Sequence, residues 1–113
     1  MKKGTEAGHL GSERYRELVA DTTHSVLESP GVTTAELRWA VAHNRTDAIP
    51  PALAPYLEKV RLHAYKVMDE DIVALKRAGY NEDAIFELTA SAAVGAALMR
   101  LERGLIALNE SKA

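Results

Sequence analysis

The sequence predicts an all-α protein, one domain of about five helices. Three observations predict it. Alanine and leucine dominate, aromatic residues are only 5% of the chain, and β-branched residues nowhere alternate with polar ones over a strand's length. At 113 residues the chain is long enough for a real core, but its buried fraction is modest and association would help it.

Residues 1–11 hold three glycines and, past Met1, one large apolar residue, Leu10. They cannot bury enough surface to offset their ordering, so a flexible tail is expected there and the folded domain spans 12–113. Ser12 is placed to cap a first helix in which Tyr15, Leu18, Val19, Thr22 and Val26 share one stripe, and Ser29-Pro30-Gly31 ends it. Thr33 followed by Glu36 has the pattern of a capping box. It opens a short helix to about Asn44, with Leu37, Ala40 and Val41 inward and Trp39 beside them. After a loop to Pro51, a proline at 51 or 55 fits the first turn of a third helix, where its missing N–H costs nothing. Leu53, Leu57, Val60, Ala64 and Val67 then form a 4-3-4-3 seam that predicts packing against another helix.

Asp69 is expected to cap the fourth helix, Glu70 and Asp71 to complement its dipole, and Gly79 to close it in the left-handed conformation, with Ile72, Leu75 and Ala78 toward the core. Asn81 caps the fifth helix, which meets no proline and is expected to run to about Leu108. At about 100° per residue, Val94, Leu98, Leu101, Leu105 and Leu108 form one apolar lane, and Ile85, Leu88, Ala92, Met99 and Ile106 a second. From Leu88 to Met99 there is no charge at all, so this helix must be covered on every side. The small residues from Ala90 to Ala97 let other backbones approach it closely.

Charge and composition narrow the function. The formal charge is −2, the pI is about 6.1, and Lys and Arg are scattered, so phosphates and anionic lipid gain no global attraction. Leu75, Gly79 and Ile85 fall near the packing and turn positions of a helix-turn-helix. Its second helix, however, would present Glu82, Asp83 and Glu87 to a polyanion, with no Lys, Arg or Gln before Arg100, so no nucleic acid is expected as a partner. With no cysteine, disulfides, thiol nucleophiles and cysteine-bound metals are out of reach of this polypeptide. The N-terminal residues lack the apolar run of a signal peptide, and no uncharged apolar stretch reaches the roughly 18 residues of a span. The expectation is a cytoplasmic protein with no membrane partner.

The run D-E-D-I-V-A-L-K-R-A-G-Y-N-E-D-A-I-F-E-L, Asp69 to Leu88, resembles the C-terminal part of the carboxymuconolactone decarboxylase and alkylhydroperoxidase D-like superfamily, and the likeness extends over roughly Val60 to Leu108. The resemblance implies an all-α, single-domain orthogonal bundle of about five helices that assembles as a homo-oligomer, with the long C-terminal helix central to the oligomer. The peroxidase branch of that family works through a Cys-x-x-Cys pair beside a glutamate and a histidine. This chain has no cysteine, so it cannot perform that two-thiol cycle. No complete acid/base set for the decarboxylase branch is matched. Glu36 and His43 lie two helical turns apart without the intervening motif and receive no catalytic role.

Two residues are the ligand-binding candidates. His63 lies at the edge of the third helix's seam, one heptad after Tyr56, where an imidazole in a partly closed site could act as a ligand-binding group. Glu87 extends the Val94–Leu98–Leu101 lane, where burial would raise its pKa unless a cation or a backbone donor lies close, with His63, Arg100 and Arg103 as the expected partners. The commoner role for such residues is a solvent-facing histidine and a carboxylate satisfied at the rim of a bundle. No metal is expected, because His9, His24, His43 and His63 are isolated from one another and Asp69-Glu70-Asp71 is explained as a helix start. Trp39 and His43, four apart, are read as packing. No cofactor is implied.

Two functions remain open, and the absence of a catalytic set leans away from an enzyme. One is a non-redox member of the resembled superfamily that binds a small organic ligand between helices. The other is a non-enzymatic assembly or protein-interaction module whose fifth helix serves self-association. A buried pocket with convergent ionisable groups favours the first, and a core filled by alanine and leucine favours the second.

Overall fold

A computed structural model describes residues 2–112, with side chains described over 13–111. Five α-helices follow in order: α1 (Lys2–Thr23), α2 (Ala35–Ala42), α3 (Ala54–Leu62), α4 (Asp69–Arg77) and α5 (Glu82–Lys112). No strand occurs among the described residues, so the all-helical expectation holds.

The α1 backbone is helical from Lys2, which puts Ser12 inside the helix and not at its start. The tail expected over 1–11 falls on residues whose side chains lie outside the described ones. After Thr23 the chain winds into a π-helical turn, His24–Glu28, before Ser29-Pro30-Gly31 breaks it. That wider turn shifts the helical phase, and it is Leu27, fully buried, that enters the core while Val26 stays half-buried.

Helix α2 is capped by Thr34, whose hydroxyl accepts from the Leu37 N–H at 3.1 Å. The cap expected at Thr33 is therefore one residue further on, because the Thr33 hydroxyl is engaged elsewhere. Helix α3 ends at Leu62, well short of the expected Val67. His63 leaves the helix at φ −145°, ψ 54°, and a short 3-10 turn follows at Ala64–Lys66. Leu53 and Leu57 are buried as the seam requires, but its regular spacing ends at Val60, and Ala64 is exposed. Helix α4 starts after Met68, whose N–H donates to the Asp71 carboxylate at 2.9 Å, so Asp69 is the first helical residue and not the cap. The same carboxylate accepts from Lys59 Nζ at 2.9 Å, joining α3 to α4. Those bonds from Lys59 first and Met68 second hold the Asp71 carboxyl below its ordinary range.

Gly79, at φ +103°, closes α4 as the sequence predicts. Asn81 caps α5, its side-chain oxygen accepting from the Ala84 N–H at 2.8 Å. Replacing Asn81 by alanine is expected to cost about 1 kcal/mol in urea unfolding, since the Ala84 N–H at the start of α5 loses its side-chain acceptor. An unchanged midpoint would show that Gly79 alone sets the turn.

The core lies where α5 crosses α2 and α3. Val41, Leu53, Leu57, Leu75, Ile85, Leu88 and Ala92 are all buried there, with Tyr56 at its edge. The Tyr56 hydroxyl meets Thr89 Oγ1 at 2.7 Å, and that hydroxyl also donates to the Ile85 carbonyl. Only the first half of α5 is covered in this way. Beyond Leu101 every described residue is exposed, and Leu105, Ile106 and Leu108 are each about half exposed, at 49%, 50% and 51%.

Candidate functional site

Glu87 sits on the first half of α5 and points at the turn between α1 and α2. Its carboxylate accepts from the Val32 N–H (2.9 Å), the Thr33 N–H (2.9 Å) and the Thr33 hydroxyl (2.5 Å). Two consecutive backbone donors and a side-chain donor converge on one anion because the turn follows Gly31. A β-carbon at Gly31 would come within 2.6 Å of the Glu87 carboxylate. Burial is the largest single influence on this carboxyl and pushes its pKa up. The Thr33 hydroxyl, the Thr33 and Val32 amides and the Arg38 charge together outweigh it, so the group is held below the ordinary glutamate range. Glu87 is thus ionised and satisfied by the chain itself.

Arg38, 4% exposed, completes the clasp from α2. Its guanidinium donates to the Val26 carbonyl at 2.9 Å and to the Thr33 carbonyl at 3.4 Å, while Nε finds no partner. Arg38 is absent from the inward set expected of α2, although its position is on the same stripe as Val41 and Ala42. Helical spacing was the available signal, and the charge obscured it. Ser91, also fully buried, satisfies its hydroxyl on the Glu87 carbonyl at 2.7 Å.

None of the expected partners of Glu87 reaches it. Arg100 donates to the Arg61 carbonyl at 2.8 Å, capping the end of α3, and Arg103 lies on an exposed face of α5 beside Met99 and Ile106. His63 is exposed, with its ring edge-on to Tyr65 at 6.1 Å, in the non-helical stretch after α3. The structure therefore does not bring His63 and Glu87 together: they share no hydrogen bond or ion pair. Trp39 and His43 make an edge-to-face pair at 5.0 Å, in line with the packing role expected of them. No group of three His, Asp or Glu among the described residues converges as a metal site.

An apolar surface also lies open to a partner. Between α1 and α5 lies a groove of about 360 Å³, lined by Tyr15, Leu18, Val19 and Thr22 from one helix and Val94, Ala97, Leu98 and Leu101 from the other, with Thr23 at its end. It contains Val94, Leu98 and Leu101 of the predicted first lane of α5, while Leu105 and Leu108 lie beyond it. By length and composition α5 would also pass as a membrane span; 39% of its most apolar stretch is buried inside the protein, and Ile85, Leu88, Ser91, Ala92 and Ala96 are among the buried residues of the helix. Comparison with known protein families, with characterised proteins and with solved structures finds no match for this chain.

Proposed function

We propose that this chain is a non-enzymatic helical assembly subunit that works by associating with copies of itself through α5. The observation that carries this reading is the long uncovered apolar face of α5, set against half-buried carboxylates, Glu87 and Asp71, that the chain's own donors already satisfy. The resemblance of Val60–Leu108 to the carboxymuconolactone decarboxylase and alkylhydroperoxidase D-like superfamily supports the same picture, as a non-redox relative stripped of its thiols. The alternative role, small-ligand binding between helices, draws its support from His63 and Glu87 acting together. Their separation weakens it.

Size-exclusion chromatography with light scattering tests the proposal. A mass that is a multiple of 12.3 kDa is expected, and a monomer at every concentration would overturn it. A thermal-shift screen of small carboxylic acids and lactones is expected to give no stabilisation. A ligand at a hundred times its Kd would add about 2.7 kcal/mol, easily seen. A compound that stabilises the wild type but not His63→Ala would move the function back to ligand binding.

A further inference from the structure

We infer that α1 is a hinged arm, which closes about the π-helical turn His24–Glu28 onto the Val94–Leu101 face of α5. The inference stands apart from the assembly reading, because Leu105 and Leu108 lie beyond the groove and stay exposed when it closes. Three observations carry it: the match of two facing stripes, the place of the turn, and the points at which the chain beyond the hinge is held.

Tyr15, Leu18, Val19 and Thr22 on α1 repeat the spacing of Val94, Ala97, Leu98 and Leu101 on α5, so each set forms a stripe along one side of its helix. The stripes line the two walls of the groove of about 360 Å³, yet Tyr15 and Leu18 are more than half exposed and Val94, Leu98 and Leu101 only half-buried. Packed interiors leave few such spaces between facing apolar side chains, and removing both stripes from water is favourable. Charge hardly resists the movement. At about 100° per residue, Arg14, Arg16 and Asp21 on α1 and Arg100 and Glu102 on α5 stand about a quarter turn to either side of their stripes, while Glu17 and Arg103 lie toward the far sides. All keep their water on closure. The flanks carry like charges in Arg14 and Arg100 and opposite ones in Arg16 and Glu102, and exposed pairs of either kind are worth little.

The turn supplies the hinge. Its hydrogen-bond ladder is wider than that of an α-helix, and sharp bends in helices concentrate at such turns. From Val26 onward the chain is fixed. The Val26 carbonyl accepts from Arg38 at 2.9 Å, Leu27 is fully buried, and the Val32 and Thr33 amides are held by Glu87. Before Val26 the Thr23 hydroxyl bonds to the Val19 carbonyl within α1, and His24 pairs with Glu28 at 2.7 Å along the turn itself. Tyr15 lies about 12 Å up the helix at about 1.5 Å per residue, so a bend of about 20° carries its ring about 4 Å. That is the scale of a side-chain contact.

Hydroxyl-radical footprinting of the full chain tests the arm against a reference of the same residue type, because Leu18 is 60% exposed and Leu62, at the end of α3, is 55% exposed. A covered side chain reacts in proportion to the time the groove is open, so Leu18 is expected to oxidise at least about threefold more slowly than Leu62, at every protein concentration. Equal rates for the two leucines would overturn the inference. Slow oxidation of Leu18 that is lost on dilution would overturn it too, and would give the cover to a second copy. Leu98→Glu places a charge on the landing face and is expected to return Leu18 to the rate of Leu62 with helical circular dichroism kept. A Leu18 that stays slow in that variant, with helicity intact, would mean that closure onto α5 is not what protects it. A monomeric wild type with a slow Leu18 would uphold the arm while overturning the assembly reading.

Discussion

Gly95→Ala is expected to destabilise the protein by about 3 kcal/mol, the upper part of the range for overfilling a packed interior. A glycine in mid-helix ordinarily gains up to about 1 kcal/mol on conversion to alanine, so the sign itself is diagnostic. The reason is the crossing of α5 over the end of α2. A β-carbon at Gly95 would overlap the Ala42 carbonyl oxygen and lie 2.6 Å from the Ala42 carbonyl carbon and 2.7 Å from its Cα. These are backbone atoms, which cannot rotate aside as a side chain can, so the two helices must separate and loosen Val41, Leu88 and Ala92 with them. Gly104→Ala, on the same helix with nothing within 4 Å of its β-carbon, is the internal control and should leave stability equal or higher. Urea unfolding reads both. Equal responses at the two positions would mean that α2 and α5 do not cross at backbone contact.

This crossing was half legible in the sequence. The run of small residues from Ala90 to Ala97 announced that another backbone comes close, but not which one, because Ala42 is just one alanine at the end of a short helix. The turn around Gly79 and the Asn81 cap were legible for the opposite reason: each depends on a few neighbouring residues whose intrinsic preferences agree. The end of α3 was not. Past Leu62 the sequence His-Ala-Tyr-Lys contains neither glycine nor proline, and the seam spacing continues through Ala64 to Val67. What stops the helix is tertiary: Arg100 takes the Arg61 carbonyl, and Lys59 turns to Asp71 across the gap. Helical periodicity has no means of registering partners a dozen or more residues away.

The candidate residues divide along the same line. The sequence placed Glu87 at a position where a carboxylate needs a cation or backbone donors, and donors are there. Their identity was hidden, since Val32 and Thr33 stand more than fifty positions earlier in the chain. The adjacent pair Thr33-Thr34 compounded this: both suit a helix start, and a capping box at Thr33–Glu36 looked complete within itself. Thr33 is spent on Glu87, so the cap passes to Thr34. His63 was a candidate only as part of a helix that in fact ends one residue before it.

Glu87→Gln, the second large effect expected, should cost about 2 kcal/mol at neutral pH, the loss of charge-assisted hydrogen bonds partly made good by the remaining amide oxygen. Three donors face the carboxylate, and an amide turns one NH₂ group toward donors while leaving the buried Arg38 without its nearest counter-charge. The turn between α1 and α2 should loosen first, visible as faster amide exchange at Val32 and Thr33 before any change in α3 or α4. Because the Glu87 carboxyl is held below the ordinary glutamate range in the folded protein, its contribution is fully present above the unfolded value of about 4.3 and is lost as pH falls through the lower folded value. Asp71 and Glu82 are also held low, by Lys59 and Lys76 respectively, but they act equally in wild type and variant and cancel in the difference. The stability gap between wild type and Glu87→Gln should therefore be flat from pH 7 to about 5 and close below about 4. A gap that stays constant to pH 3 would show that the clasp acts through shape alone, with the charge contributing nothing.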